Sequence, residues 1–246
     1  MSYTNGLDDP TAYFQTKIYT GNNSSQTITG VGFQPDWVWF KSRTTTDSHY
    51  LVDSVRGNTK YLRSQTTTAE ETNSTAVTSF NSDGYALGSA GNVNDNANYV
   101  AWNWKAGGSA SSNSDGDVTS SVSANTTAGF SIVKFTASSS SGAMTVGHGL
   151  GATPQVVIVK DIGATGNWQV YFEGIGTANQ QYLKLNDTAA LANHSGLWGA
   201  GMTSSVIGIG VGDVVDASES DIAYCFAEKK GYSKFGSYTG NGNADG

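Results

Sequence analysis

The chain has 246 residues, of which 13 are basic and 20 acidic, so its formal net charge is −7. This balance disfavours nucleic-acid binding, because no basic stripe exists to displace phosphate counterions, and it disfavours attraction to an anionic membrane surface. Charged residues make up 13% of the chain, against about 25% in ordinary soluble domains. The single cysteine, Cys225, excludes a disulfide framework within one chain.

The predicted elements are short strands rich in Val, Ile, Thr, Tyr and Trp and bounded by Gly, Asn, Asp and Ser. In chain order they span 14–20, 36–42, 48–53, 59–63, 84–87 and 98–105, then 129–136, 155–160, 167–172, 181–185, 205–210 and 221–228. No stretch shows a sustained 3.6-residue period with capping residues, and no apolar run approaches the length of a membrane-spanning helix. The polar, acidic N-terminus does not resemble a signal peptide.

The sequence repeats itself once. "TAYF" at 11–14 matches "TAGF" at 127–130, "PDWVWFK" at 35–41 matches "PQVVIVK" at 154–160, and "YVAWNWKAG" at 99–107 matches "DIAYCFAEK" at 221–229. The offset grows from 116 to 122 without reversing, as a duplicated unit with small loop insertions would produce.

We therefore predict an all-β fold of two tandem antiparallel β-sandwiches, jelly-roll or lectin-like, that arose by internal duplication. Copy one spans 1–107, a Ser/Gly-rich linker spans 108–117, and copy two spans 118–232. Residues 233–246 are predicted to form a C-terminal strand, because "GSYTGNG" at 236–242 echoes "KIYTGNN" at 17–23 like the start of a third copy.

The repeat also suggests which aromatic residues are structural. Trp37 aligns with Val156 and Trp39 aligns with Ile158, an exchange that suits a packed sheet interior better than a sugar-stacking platform. The predicted core positions are Trp39, Val157, Ile158 and Phe226.

A weaker prediction concerns glycan or partner binding. Trp102 and Trp104 share one face of a strand, opposite Asn103, and this face is either a core face or an exposed platform for sugar rings. Asn94 and Asn96, in the loop just before that strand, complete this candidate site.

Calcium is the one cofactor that the sequence leaves open. The loops "NVNDNAN" at 92–98 and "GDVVDASESD" at 212–221 occupy equivalent positions, and their oxygen-rich side chains suit Ca²⁺. The weak ligand candidates are Asp95, Asp213 and Asp216, although the spacing is not that of an EF-hand and solvated turns explain these loops equally.

No catalytic residue is predicted. "GHGLGA" at 147–152 leads into another strand rather than the helix that a dinucleotide site requires. A pair of carboxylates drawn from Glu173, Glu219 and Glu228 leaves glycoside hydrolysis as a third, weaker alternative.

Several long motifs carry a family resemblance: "GFQPDWVWFKSR", "HYLVDSVRG", "YVAWNWKAGG", "VGHGLGATPQVVIVK" and "YCFAEKKGYSKFGSYTGNG". Together they resemble repeat-containing structural proteins of marine tailed phages, notably phages of cyanobacteria, over nearly the whole chain. That resemblance implies a β-sandwich virion component of the tail-fibre, capsid-surface or concanavalin-like type.

The predicted function is thus a non-enzymatic phage structural protein on the particle surface, either a tail fibre or a capsid decoration. It would be made in the host cytoplasm, form a homo-oligomer and contact other virion proteins through sheet edges. Phe235 and Tyr238 would belong to an assembly strand within 233–240 that pairs with a neighbouring subunit. The alternative is a lectin-like adhesin for host attachment that binds surface glycans, with or without Ca²⁺.

Overall fold

A computed structural model describes residues 7–243. The first six residues of the predicted copy one and the last three of the predicted C-terminal strand lie outside the described residues. Sandwich one contains a 3₁₀ turn at Pro10–Ala12, a one-turn helix α1 (Gly91–Asn94), and the strands β1 (Phe14–Thr20), β2 (Gln26–Ile28), β3 (Trp37–Ser42), β4 (Tyr50–Asp53), β5 (Lys60–Tyr61), β6 (Glu71–Thr72), β7 (Val77–Asn81), β8 (Gly84–Leu87) and β9 (Asn98–Trp104).

Sandwich two follows directly. Its strands are β10 (Ser111–Asn113), β11 (Ser120–Asn125), β12 (Phe130–Thr136), β13 (Gly142–Gly147), β14 (Val156–Asp161), β15 (Gln169–Phe172), β16 (Gln181–Lys184), β17 (Ala192–Asn193), β18 (Val206–Val211) and β19 (Ser220–Phe226). All ladders between these strands in the described residues are antiparallel. The predicted all-β sandwich fold is confirmed.

The main sheets of the described chain stack in four layers. In sandwich one, the sheet β2-β8-β7 packs on the sheet β1-β9-β3-β4, and in sandwich two, the sheet β13-β18 packs on the long sheet β10-β11-β12-β19-β14-β15-β16-β17. Because side chains alternate along a strand, each of the two larger sheets has an inner face toward its own sandwich and an outer face turned away. On β3, for example, Val38 and Phe40 enter the core of sandwich one, whereas Trp37 points to the other side.

The two outer faces pack against each other and form a third apolar core. It joins residues of sandwich one, Trp37, Leu51 and Leu62, to residues of sandwich two that are completely or almost completely buried, Phe130, Ile132, Trp168, Ile222 and Tyr224. Burial of this much aromatic and aliphatic surface makes the contact between the sandwiches part of the hydrophobic core rather than a loose hinge.

The two sandwiches share strand order and register. β1-β9-β3-β4 corresponds to β12-β19-β14-β15. Trp37 lies opposite Trp104 and Asp53, and its predicted counterpart Val156 lies opposite Phe226 and Phe172. A duplication would produce this agreement, and the duplication itself remains a prediction from the sequence.

The core predictions need one correction. Val157 is completely buried in the core of sandwich two, but Trp39, Ile158 and Phe226 are only half-buried. These three lie on outer faces beside the aromatic residues that line an open groove, whereas Trp37, which is not among the predicted core positions, lies where the sheets touch and is 1% exposed.

The predicted linker and C-terminal strand also differ from expectation. Within the linker 108–117, β10 pairs with β11 at the edge of the long sheet, so part of this segment is an ordered strand. Among the described residues of the C-terminal segment, Ser233 forms an isolated bridge with Lys229 and 234–243 form no strand. In the described chain, no helix is both long and apolar enough to cross a membrane.

Candidate functional site

An apolar groove opens beside the contact between the two outer faces, where the sheets diverge. It encloses about 420 Å³, and its large lining side chains come from both sandwiches: Phe14, Trp37, Trp39, Trp104, Phe130, Val156, Ile158, Phe172, Phe226, Tyr232 and Phe235. We call this set the aromatic groove.

Strand register places these residues together. One wall is a row across β1, β9 and β3, formed by Phe14, Trp104 and Trp37. The facing wall is a row across β12, β19, β14 and β15, formed by Phe130, Phe226, Val156 and Phe172. The groove is thus the open end of the same stack of outer faces that forms the core between the sandwiches.

Trp37 connects the groove to that core. Its ring stacks on Tyr224 with centroids 4.3 Å apart and an interplanar angle of 15°, and it lies 4.4 Å from the ring of Trp104. These separations are those of favourable offset aromatic pairs. The indole Nε1 of Trp37 is buried and has no hydrogen-bond partner among the described residues, so the ring is held by packing alone.

The C-terminal segment closes one side of the groove. The Phe235 ring lies 6.1 Å from Phe226 and 6.3 Å from Phe172, in both cases edge to face. Glu228 anchors this segment, because its carboxylate accepts a hydrogen bond from the Phe235 backbone amide at 2.9 Å and pairs with Lys234 at 2.8 Å. Hydrogen bonds from Lys234 and then from the Phe235 amide lower the pKa of Glu228.

A buried polar network fixes the two sandwiches relative to each other. Asp53 of β4 accepts hydrogen bonds from the Tyr224 hydroxyl of β19 at 2.8 Å and from the Arg56 guanidinium at 2.6 Å. Arg56 also pairs with Glu70 at 3.2 Å. Burial, and then the Asp53 carboxylate, raises the pKa of Tyr224 well above its ordinary value, so the hydroxyl stays protonated and donates a hydrogen bond to Asp53.

The chemistry of the groove favours apolar occupants. Its named walls are aromatic and aliphatic, and a sugar ring placed there would lose hydrogen bonds to water without finding protein partners. Aromatic or aliphatic groups of a protein would lose nothing of this kind and would gain from leaving water.

The predicted glycan residues are not brought together as one site. Trp104 lies in the aromatic groove, and Trp102 is half-buried farther along the outer face, 6.3 Å from the Trp39 ring in an edge-to-face pair. Asn94 is completely buried and Asn96 is exposed. The assignment of Asn94 to a glycan site is therefore corrected, because a buried side chain cannot meet a ligand.

Asn94 has a structural role instead. Its amide nitrogen donates to the backbone carbonyls of Ser24 and Gly88, and its oxygen accepts from the Asn22 amide and the Gln26 side chain. These bonds hold the β1–β2 loop against α1.

The calcium candidates are also separated. Asp95 lies in sandwich one, exposed, and its carboxylate caps the amide of Asn96. Asp213 and Asp216 are exposed in the β18–β19 loop, where Asp213 lies 3.7 Å from His194. Between residues 7 and 243, no group of three or more His, Cys, Asp or Glu side chains is arranged to hold a metal ion.

Two buried acids, at the end of β14 and near the start of β19, were not predicted to form a pair. Asp161 and Asp221 are directly opposite each other in the ladder, and both carboxylate oxygens of Asp221 lack a hydrogen-bond partner among the described residues. Burial, and then Asp161, raises the pKa of Asp221 to about 9, so this carboxyl is protonated at neutral pH. Burial lowers the pKa of the adjacent Lys160 to about 8.

Comparisons with known proteins place the chain in a family. The model of the family described as "Domain of unknown function (DUF7483)" matches residues 9–246. The chain belongs to this family. A search of curated proteins finds no match, and a search of solved structures finds none either.

Proposed function

We propose that this protein is a non-enzymatic structural component on the surface of a phage particle, either a tail fibre or a capsid decoration. The proposal combines the motif resemblance with a fold that presents an apolar groove of about 420 Å³ lined by both sandwiches, a surface suited to a protein partner. In this role the chain contacts other virion proteins through the edges of its sheets.

The observation that carries the proposal is the free edge of β1. In sandwich two, the corresponding strand β12 is covered by β11, whereas β1 pairs with β9 on one side and with no other described strand on its other side. This edge is seven residues long, without proline or a bulge, and such an edge readily accepts a strand from another chain.

The C-terminal segment is suited to reach a neighbour. Beyond Phe235, which is anchored in the aromatic groove, the described chain is exposed, and Tyr238 is 94% exposed. The exposed residues 236–242 can contact a second subunit while Phe235 stays in the groove of its own chain.

The adhesin hypothesis has less support from the geometry. The half-buried Trp102 could stack on a sugar ring, but Asn94 is occupied in the β1–β2 loop and the neighbouring aromatic groove has apolar walls. Saturable glycan binding that is lost in a Trp102→Ala variant, and retained in Trp198→Phe inside sandwich two, would favour it.

Immunogold labelling of intact virions with antibody against this chain tests the proposal. Gold on tail fibres or over the head is the expected result, and its position separates the tail-fibre role from the decoration role. Unlabelled virions that infect normally would refute a particle component.

A further inference from the structure

We propose that two copies of this chain associate through the outer face of β1 and β9, in a two-fold symmetric, sheet-on-sheet contact. This inference rests on the proposed structural role and deepens it by naming the first partner of the chain as a second copy of itself. We call this surface the open face and define it by Thr16, Ile18, Val100 and Trp102.

The open face is the uncovered counterpart of a buried surface. In sandwich two, the matching positions on β12 and β19 are Ile132, Ile222 and Tyr224, all completely buried against sandwich one. In sandwich one, Thr16 is exposed, Val100 and Trp102 are half-buried, and Ile18 is 63% exposed. The positions of Thr16, Val100 and Trp102 are therefore buried in sandwich two and half-buried or exposed in sandwich one, whereas Ile18 matches the half-buried Lys134.

The open face is continuous with an interface that the chain already uses. It extends along β9 from Trp104 in the aromatic groove through Trp102 to Val100. Its edge-to-face contact between Trp102 and Trp39 adjoins the stack of Trp37 on Tyr224. The occupant that fits it is accordingly another outer face.

A second copy of the chain has to contribute an uncovered outer face to this contact. The outer face of β12 and β19 is buried within the chain, and the outer side of β14 and β15 faces the aromatic groove, where Phe235 covers Phe172. Of the outer faces of β1, β9, β12, β14, β15 and β19, the open face is the one that is neither buried within the chain nor part of the aromatic groove. The contact is then isologous, with the same patch on both subunits, which is the commonest symmetry of homo-oligomers.

Charge permits the approach. Each chain carries a formal net charge of −7, so two copies repel at long range. The outward positions of β1, β9 and β3 hold no carboxylate, and their one cation, Lys41, is turned onto the backbone carbonyls of Ser42 and Asp47. The open face therefore brings no like-charged pair together at its centre.

Light scattering coupled to gel filtration tests the inference on the full chain. We expect wild-type protein to have twice the mass of one chain. Val100→Asp should raise the dimer dissociation constant at least tenfold, because a buried, unpaired charge appears twice across a two-fold contact. Leu191→Asp is the matched control, since Leu191 is an apolar residue 41% exposed on sandwich two, and it should leave the dimer intact.

A second variant separates the open face from the free edge of β1. Ile18 lies on the edge strand and Val100 lies one strand inward, opposite it. Loss of the dimer in both Ile18→Asp and Val100→Asp, with unchanged circular dichroism, supports face packing. Loss in Ile18→Asp alone would overturn it in favour of edge pairing, and a monomeric wild type at the highest attainable concentration would overturn it outright. Neither result bears on whether gold labels the virion.

Discussion

Replacement of Trp37 by valine tests whether the packed outer faces hold the two sandwiches together. Full burial of an indole removes about 150–250 Å² from water, worth roughly 4–6 kcal/mol as an upper bound at about 25 cal/mol/Å². Buried valine recovers about 1.5–3 kcal/mol of this. Because Trp37 is 1% exposed and stacks on Tyr224, we expect Trp37→Val to lower the free energy of unfolding by about 3 kcal/mol.

Trp39→Val is the matched control, since Trp39 points to the same side of β3 two residues later but is only half-buried. Its loss should be about half as large, because less of its surface leaves water on folding. Urea unfolding followed by tryptophan fluorescence and by circular dichroism gives both values. If Trp39→Val costs as much as Trp37→Val, the outer-face packing does not have the energetic role that we assign to it.

Three further predictions concern buried polar groups. Tyr224→Phe should lower the free energy of unfolding by about 2 kcal/mol, because the Asp53 carboxylate loses a charge-assisted hydrogen bond; urea unfolding showing a change within 0.5 kcal/mol of zero would contradict this. The pKa of Asp221 is raised from 3.8 to about 9, so the stability it contributes is complete below pH 3.8 and is lost as the pH rises toward 9. Asp221→Asn, which cannot ionise, should therefore become more stable relative to wild type between about pH 5 and about pH 8, and a difference in unfolding free energy that is flat with pH would refute the assignment. Asn94→Ala should cost at least about 2 kcal/mol, because it leaves backbone groups of the β1–β2 loop unpaired, whereas the exposed Asn96→Ala should be nearly neutral; equal thermal melting shifts in the two variants would argue against the loop anchor.

The sequence predicts the main strands well because they are long and rich in β-branched and aromatic residues. β3, β9, β14 and β19 all lie where "WVWFK", "YVAWNW", "VVIVK" and "DIAYCF" predict them. The strands β2 and β13, which pair with β8 and β18, were not predicted, although "TITGVGF" at 27–33 resembles "MTVGHGL" at 144–150. β2 has only three residues, and a run of that length is too short for an alternating pattern to be recognised.

Which face of each strand is buried could not be read from alternation. "WVWF" is apolar at every position, because one side of β3 enters the core of sandwich one and the other side meets sandwich two. A continuous apolar run in an antiparallel sheet is itself a signal that both faces are covered. The sequence does not show where along β3 the outer face meets sandwich two, and that position decides why Trp37 is buried and Trp39 is only half-buried.

The buried acids illustrate a different limit. Asp221 opens the strand "DIAYCF" and resembles an ordinary polar residue at a strand end. Its raised pKa depends on burial and then on Asp161, which lies opposite it on β14, 60 residues earlier in the chain. A carboxyl that is kept neutral by its surroundings has no local sequence signature.

The differences between the two sandwiches favour a closed contact over an open series of copies. Within one chain, β4 of sandwich one contacts Tyr224 of sandwich two. If a second chain repeated this contact head to tail, β15 of its sandwich two would take the place of β4, and Trp102 of the first chain would take the place of Tyr224. At the position of Asp53, however, β15 carries Phe172, which cannot accept a hydrogen bond and is already covered by Phe235. The polar network that fixes sandwich one on sandwich two therefore has no counterpart for a third sandwich. A head-to-tail filament would lack both the acceptor and the free surface, whereas a two-fold pairing of open faces needs neither, since each open face then meets its own copy and that face holds no carboxylate.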